Sequence, residues 1–291
     1  EKSVDALKTA QEEIFTGTAK DLKSLFRVID DMNATIRNKG VDPYLLLPLL
    51  AQDMDPYACH SINVAILASA MGEQYGLNTG QMNNLTLAAF MHDLGRLTIP
   101  GEWTSRKDRL SPQEMEVVRQ HGNWGLILLL IREEFTPQVG VLAAEHHRDL
   151  GVPTEKGSYT PDIIHKIVAL ADRYDLALKS PQHYWNRYRQ DRLLKQIINH
   201  RGVDYDPLIV KLLVNCVGYY PVGTMVQIED GRRGIVVRPN QVNPARPRLY
   251  MFEEESPPAV MPAPTLNPHL NAGIMAAAQP QPEEPPPVIF D

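Results

Sequence analysis

The chain has 291 residues, 43% of them hydrophobic, which is enough for the core of one large domain or two small ones. Its formal net charge of -6 argues against a nucleic-acid coat, which needs concentrated Lys and Arg, but allows a small anionic ligand. Two cysteines make no disulfide framework, no apolar run approaches the ~18 residues of a membrane span, and the first residues lack a signal-peptide pattern. We therefore expect a reduced, cytoplasmic protein.

Apolar spacing typical of helices runs through most of residues 1–215. Residues 20–37 form one apolar stripe, which predicts an amphipathic helix that either covers its own core or pairs with a second copy of the chain. NNLTLAAFMHDLG (83–95) is apolar on most sides, which favours a buried central helix. Further helices are predicted over residues 60–77, 111–131, 161–178 and 206–217.

Local residues mark several helix ends. Gly76 is placed to end the helix that begins near residue 60. Ser111 is predicted as an N-cap, with Pro112 at the first helical position and Glu114 at the third. Pro161 is predicted to open the helix that runs toward Asp172.

The spacing of apolar residues changes near residue 218 from helical to strand-like. TMVQI (224–228), GIVVR (234–238) and RLYMF (248–252) are predicted as short strands, with a hairpin turn at Asp230-Gly231. This unit is too small to fold alone, so we expect it to pack on the helices. Residues 253–291 are rich in proline and are predicted to be a disordered tail. The expected parts are thus an N-terminal helical segment (1–50), a helical domain (51–217), a β appendage (218–252) and the tail.

Five of the nine histidines lie at or near the end of an apolar, helix-like segment, and two acids, Asp93 and Asp172, accompany them. The five are His60, His92, His121, His146 and His147. An acid at the end of an apolar run is costly to bury unless it is paired or binds a cation. Imidazole nitrogen and carboxylate oxygen suit Fe, Mn, Zn and Ni. Seven such side chains exceed the need of one ion and predict two ions, about 3.5–4 Å apart, that share a carboxylate.

These residues resemble the HD-GYP group of bacterial HD-superfamily phosphohydrolases. The likeness runs in the family's order over roughly residues 20–252. It is carried by HSINVAILA (60–68), HDLGRLTIP (92–100), QHGNWGLILL (120–129), EHHRDLG (145–151) and ALADRYDLAL (169–178).

The resemblance implies a mainly α fold, a helical bundle with a small antiparallel β appendage near the C-terminus. It also implies a bi- or trinuclear metal centre, commonly iron or manganese, with iron the first expectation here. Carried over position by position, the ligands would be His60, His92, Asp93, His121, His146, His147 and Asp172. Asp93 would bridge two ions, whose shared water would give the hydroxide that attacks phosphorus. The implied substrate is cyclic di-GMP, and family members also contact other signalling proteins.

The chain departs from the family pattern in the part of the site that would meet the substrate. The family's signature lysine is Arg96, and a His-His-Glu segment ends in Arg148. The Gly-Tyr-Pro motif is replaced either by Gly151-Val152-Pro153 or by GSY (157–159), and the expected basic stretch reads SPQHYWNRYR (180–189), with its cations at Arg187 and Arg189. Pro56 stands where trinuclear members have Glu, which favours two metals.

The leading hypothesis is a metal-dependent phosphodiesterase for a cyclic dinucleotide, with weak or altered specificity. Asp93 and Arg96 would be its catalytic residues, and Arg96 and Arg148 would bind phosphate. One alternative is a catalytically silent signalling receptor or scaffold, whose Pro-rich tail could dock on a partner. Another is a phosphohydrolase for a smaller nucleotide or phosphate ester. The metals could also merely brace the helices.

Overall fold

The computed structural model describes residues 2–18, 22–39, 55–105, 110–147, 162–179, 190–240, 242–252 and 274–276. The helices are α1 (Lys2–Thr16), α2 (Lys23–Lys39), α3 (Pro56–Tyr75), α4 (Thr79–Met91), α5 (Gly101–Ser105), α6 (Pro112–Arg119), α7 (His121–Leu130), α8 (Pro137–Ala144), α9 (Ile163–Lys179), α10 (Gln190–Asn199) and α11 (Pro207–Val217). A 3₁₀ helix, Leu94–Thr98, follows α4. The strands are β1 (Met225–Ile228), β2 (Arg233–Arg238), β3 (Arg248–Met251) and β4 (Ile274–Ala276). The predicted fold class, mainly α with a small antiparallel sheet, is confirmed.

One apolar core joins the helices, and α4 lies at its centre. Every residue from Leu85 to Met91 in α4 is buried, as expected for a helix that is apolar on most sides. The stripe of α2 is buried in this same core, at Leu25, Ile29 and Ile36 among others. Of the two alternatives for this helix, the structure therefore shows the first, in which it covers its own core.

The predicted helix ends at Gly76 and Ser111 are present. Gly76 adopts the left-handed conformation (φ 89°) that ends α3. Ser111 accepts a hydrogen bond from the N–H of Glu114, whose carboxylate accepts one from the N–H of Ser111. The single helix predicted over 111–131 is wrong, because the chain breaks at Gln120 into α6 and α7. At this break the side chain of His121 bonds the carbonyl of Val118, one of those that the end of α6 leaves without a helical partner.

The small sheet is antiparallel, in the order β3-β2-β1-β4. Gly231 (φ 90°) makes the predicted turn between β1 and β2. The buried side chains of the sheet, such as Val226, Val236 and Leu249, form a cluster separate from the helical core. That the sheet packs on the helices stays a prediction. Strand β4 comes from the segment predicted as a disordered tail; residues 253–273 and 277–291 lie outside the described residues.

Among the described helices, none is long and apolar enough to cross a membrane.

A partly buried ion pair links α9 to the start of α11. Lys166 is 3% exposed, and its Nζ lies 2.8 Å from Asp206 Oδ2. The other oxygen of Asp206 accepts from the N–H of Leu208 and caps α11. Burial alone would raise the pKa of Asp206, but the hydrogen bonds from Lys166 and Leu208 outweigh it and lower that pKa.

We expect Asp206→Asn to lower the free energy of unfolding by about 1–3 kcal/mol, because the cap survives but Lys166 loses its counter-ion. Asp206→Ala should cost about 1 kcal/mol more, since the cap is lost too. The carboxylate contributes above its unfolded pKa of 3.8, and the contribution disappears as pH falls through the lower folded pKa. Urea denaturation at pH 7 and pH 3 measures both effects. Equal stabilities of wild type and Asp206→Asn at pH 7 would contradict the role of the pair.

Candidate metal centre

The seven side chains singled out in the sequence lie together where the ends of several helices meet. His60 lies in the first turns of α3, and His92 and Asp93 directly follow α4. His121 opens α7, and Asp172 lies within α9. His146 and His147 come just after α8. All are buried or nearly so except His147, which lies at the exposed edge of the site.

The ligand atoms fall into three overlapping groups, each with its atoms within 4.8 Å of one another. The groups are His60, His92 and Asp172; His121, His146 and His147; and His92, Asp93 and His146. In the first group, His60 Nε2 lies 3.0 Å from Asp172 Oδ1 and 3.2 Å from His92 Nε2. In the second, His121 Nε2 lies 3.2 Å from the Nε2 atoms of both other histidines.

Asp93 stands between the first two groups and turns one oxygen to each. Its Oδ1 lies 3.2 Å from His121 Nε2 and 3.8 Å from His146 Nε2. Its Oδ2 lies 3.5 Å from His92 Nε2 and 3.7 Å from His60 Nε2. This is the arrangement that a carboxylate shared by two ions requires.

Local hydrogen bonds decide which imidazole nitrogen faces the site. The Nδ1 atoms of His92, His121 and His146 lie within hydrogen-bond reach of the carbonyl three residues earlier. A carbonyl can only accept, so each Nδ1 carries a proton and, in the neutral ring, each Nε2 presents a lone pair. His60 reaches the same result through Asp175, whose Oδ2 lies 2.6 Å from its Nδ1.

The centre is therefore lined by acceptors. When the rings are neutral, lone pairs of imidazole nitrogens face one another at 3.2 Å, with two carboxylates beside them. Such a set repels itself unless a cation or a proton lies within it. The nitrogen and oxygen donors fit Fe, Mn, Zn or Ni, so the residues present suit a divalent metal.

Burial and neighbouring charges shift the pKa values of both acids and histidines in the centre. Burial would raise the pKa of Asp93, but His92, His121 and Arg96 lower it well below its usual value. Burial lowers the pKa of His146 well below the ordinary value, and the neighbouring His92 adds to the effect. Burial also acts to lower the pKa of His60, but Asp172 and Asp175 outweigh it and raise that pKa to about 9. Without metal, the imidazole of His60 is therefore doubly protonated at pH 7, with the second proton on Nε2.

Arg96 lies on the 3₁₀ helix, one turn after Asp93, and its Nε is 2.7 Å from Asp93 Oδ1. About 26% of its side chain is exposed, so the guanidinium borders both the centre and solvent. Arg148, the other predicted phosphate partner, lies outside the described residues. So do residues 151–153, 157–159 and 180–189, where the sequence departs from the family pattern.

Gly95 sets the distance between the 3₁₀ helix and α7. A Cβ at this position would lie 1.8 Å from the carbonyl oxygen of His121 and 2.6 Å from the backbone nitrogen of Gly125. Only glycine allows the two backbones to approach so closely. The approach brings Asp93 within reach of His121, and Arg96 lies beside Asp93.

Two polar residues of the site escaped the sequence analysis, Asp175 and Asn63. Asn63 donates to Asp175 Oδ1 at 2.8 Å, while the other oxygen of Asp175 meets His60. A sequence signal for Asp175 existed, because it follows Asp172 by three residues and shares its helix face.

Known proteins match the part of the chain that carries this site. Residues 57–177 match the HD domain family. A cyclic di-GMP phosphodiesterase of Pseudomonas aeruginosa is 27% identical over 239 residues, which cover 81% of this chain and 57% of that protein. The cyclic di-GMP phosphodiesterase PdeB of Borreliella burgdorferi is 24% identical over 71% of this chain and 54% of that protein. A 3'3'-cGAMP-specific phosphodiesterase of Vibrio cholerae is 25% identical over 53% of this chain and 30% of that protein. The chain spans about half the length, or less, of these relatives.

The proton on His60 makes metal uptake depend on pH. A metal ion that binds His60 Nε2 must displace this proton, so we expect Mn²⁺ binding at pH 7 to release about one proton. The affinity should rise with pH and level off near pH 9, the pKa of His60. Titration calorimetry of the metal-stripped chain, in two buffers of different ionisation enthalpy, counts the protons released. Identical heats in both buffers would contradict this expectation, and His60→Gln should abolish the release.

Proposed function

We propose that this chain, whose residues 57–177 match the HD domain family and which resembles the HD-GYP group, is a metal-dependent phosphodiesterase that hydrolyses a cyclic dinucleotide. The observation that carries the proposal is Asp93, which turns one oxygen to each of two groups of acceptor atoms. Such a doubled site is typical of two-metal hydrolysis of phosphodiesters. The names of the relatives supply the class of substrate.

In this proposal the site holds two divalent ions, with iron as the metal and manganese as the alternative. His60, His92 and Asp172 would hold one ion, His121, His146 and His147 would hold the other, and Asp93 would lie within reach of both. Bound there, the ions would activate water as the nucleophile and neutralise charge on the phosphodiester.

The protein's own groups prepare the site for this chemistry. Asp93 and Asp172 stay ionised, because the pKa of each carboxyl is lowered by its histidine neighbours despite burial. The Nδ1 hydrogen bonds hold the imidazole rings so that each Nε2 points inward without rearrangement. Arg96 neutralises part of the charge of Asp93 and, from its partly exposed position, can bind a non-bridging phosphate oxygen.

The proposed substrate is cyclic di-GMP, and a related cyclic dinucleotide is the alternative, because the relatives named above differ in this respect. Arg148, outside the described residues, is proposed as a second phosphate partner. A fork-shaped guanidinium at position 96 is not equivalent to a lysine at a phosphate, which supports an altered specificity.

Turnover is the primary test of this function. Loaded with Fe²⁺ or Mn²⁺ without oxygen, the chain should hydrolyse cyclic di-GMP or 3'3'-cGAMP, as followed by chromatography of the products. Asp93→Asn should lower kcat by at least about 100-fold, because the shared ligand of both ions is lost. His200→Gln is the matched control, since His200 is exposed and pairs with Asp204 outside the site.

Metal analysis of the same samples separates the outcomes. About two ions per chain with turnover would support the proposal. Two ions without turnover of either dinucleotide would contradict it and leave a receptor, or an enzyme for another phosphate ester.

Arg96 is tested by Arg96→Gln and Arg96→Lys. The first should lower kcat/KM by about 10- to 100-fold, the cost of one charged hydrogen-bond partner of about 1.4–2.7 kcal/mol. The second keeps the charge and should retain more activity. Metal content should stay near that of wild type. If Arg96→Gln loses metal in proportion to activity, Arg96 acts only by holding Asp93, and the contact with phosphate is ruled out.

A further inference from the structure

We propose that Asp175 is a positioning residue that fixes the orientation of the His60 ring, and that Asn63 in turn fixes Asp175. This inference rests on the metal site of the proposed function and adds to it an outer layer of hydrogen bonds. The pair links α3, which carries His60 and Asn63, to α9, which carries Asp172 and Asp175.

His60 needs such a partner because of its place in its helix. His92, His121 and His146 follow the ends of α4, α6 and α8, where carbonyls are left without helical partners and accept from Nδ1. His60 lies in the first turns of α3, where the carbonyls behind it serve the helix itself. Its ring must therefore be held by a side chain from another element, and Asp175 supplies that side chain.

Both nitrogens of the His60 ring contact a carboxylate of α9. Asp175 Oδ2 lies 2.6 Å from His60 Nδ1, and Asp172 Oδ1 lies 3.0 Å from His60 Nε2. The two acids are three residues apart and so share one face of α9. Asp172 approaches from the side of the proposed metal, and Asp175 approaches from behind. The ring is thereby fixed in the plane that a metal ligand needs.

Asn63 holds the carboxylate of Asp175 in the orientation in which one oxygen faces His60. Its Nδ2 donates to Asp175 Oδ1 at 2.8 Å, and Asp175 is 3% exposed. Asp175 thus accepts from two donors at once, one on each oxygen. An amide at position 175 has only one acceptor oxygen, so Asp175→Asn would set an N–H against one of the two donors.

Exchanging the two residues repairs this mismatch. In Asn63→Asp/Asp175→Asn, the amide oxygen at position 175 can accept from His60 while its NH₂ donates to the carboxylate at position 63. The hydrogen-bond pattern around the ring is kept, and the negative charge moves from position 175 to position 63, one hydrogen bond farther from the ring. The double variant therefore separates orientation from charge.

The experiment measures Mn²⁺ binding to the metal-stripped full chain by titration calorimetry, with ion counts by elemental analysis. Asp175→Asn should weaken the binding of one of the two ions by about 10- to 100-fold and leave the other unchanged. The double variant should recover most of the lost affinity. Asn63→Ala, at a partly exposed position, should give a smaller loss in the same ion, and carries the test if Asp175→Asn does not fold.

Asp204→Asn is the matched control, because Asp204 also meets a histidine Nδ1 at 2.6 Å but at an exposed site. It should leave Mn²⁺ binding unchanged. Wild-type affinity in Asp175→Asn would overturn the proposal. A double variant as weak as the single one would overturn it too, because the charge alone would then matter. Failure of the proposed function shows differently, as normal Mn²⁺ binding without turnover.

Discussion

The site depends on one electrostatic constraint, the gathering of acceptor atoms at about 3 Å from one another inside an apolar core. Five imidazoles and two carboxylates meet there, and the Nδ1 hydrogen bonds of four of the rings turn their Nε2 lone pairs inward. Neutral imidazoles and carboxylates present only acceptor atoms to one another here, and burial of two carboxylates is costly unless a cation or a proton lies beside them. A divalent cation converts each of these unfavourable contacts into a favourable one. Metal binding and folding of the centre are therefore coupled in free energy.

The fold meets this constraint with helix ends. Three of the rings follow a helix end, where the carbonyls that the helix leaves open become the partners of Nδ1. Each of these hydrogen bonds thus pairs a carbonyl at a helix end and orients a ligand atom toward the centre. Gly95 completes the arrangement, because it lets the 3₁₀ helix contact the backbone of α7 and brings Asp93 to His121.

The two sides of the centre differ in their exposure. His60, His92 and Asp172 are enclosed by α3, α4 and α9, and Asp175 adds a further buried partner. His147, by contrast, is exposed, and Arg96 is partly so. The enclosed side is suited to hold its ligands rigidly, and the open side is suited to admit a phosphodiester. This asymmetry is consistent with the sequence, in which most departures from the HD-GYP pattern fall among the residues expected to meet substrate.

The sequence by itself determined the mainly helical class and the capped helix ends at Gly76 and Ser111, because each depends on the chemistry of neighbouring residues. It also singled out the seven side chains that the structure brings together. An acid that ends an apolar run, as Asp93 does, is already a sign of a cation. Only the tertiary structure decided which ligand atoms form a group and that Asp93 divides its oxygens between two groups. It also decided the break at Gln120, the fourth strand and the role open to Asp175. These features depend on contacts between residues up to 115 positions apart, as for His60 and Asp175, and no local pattern fixes such distances.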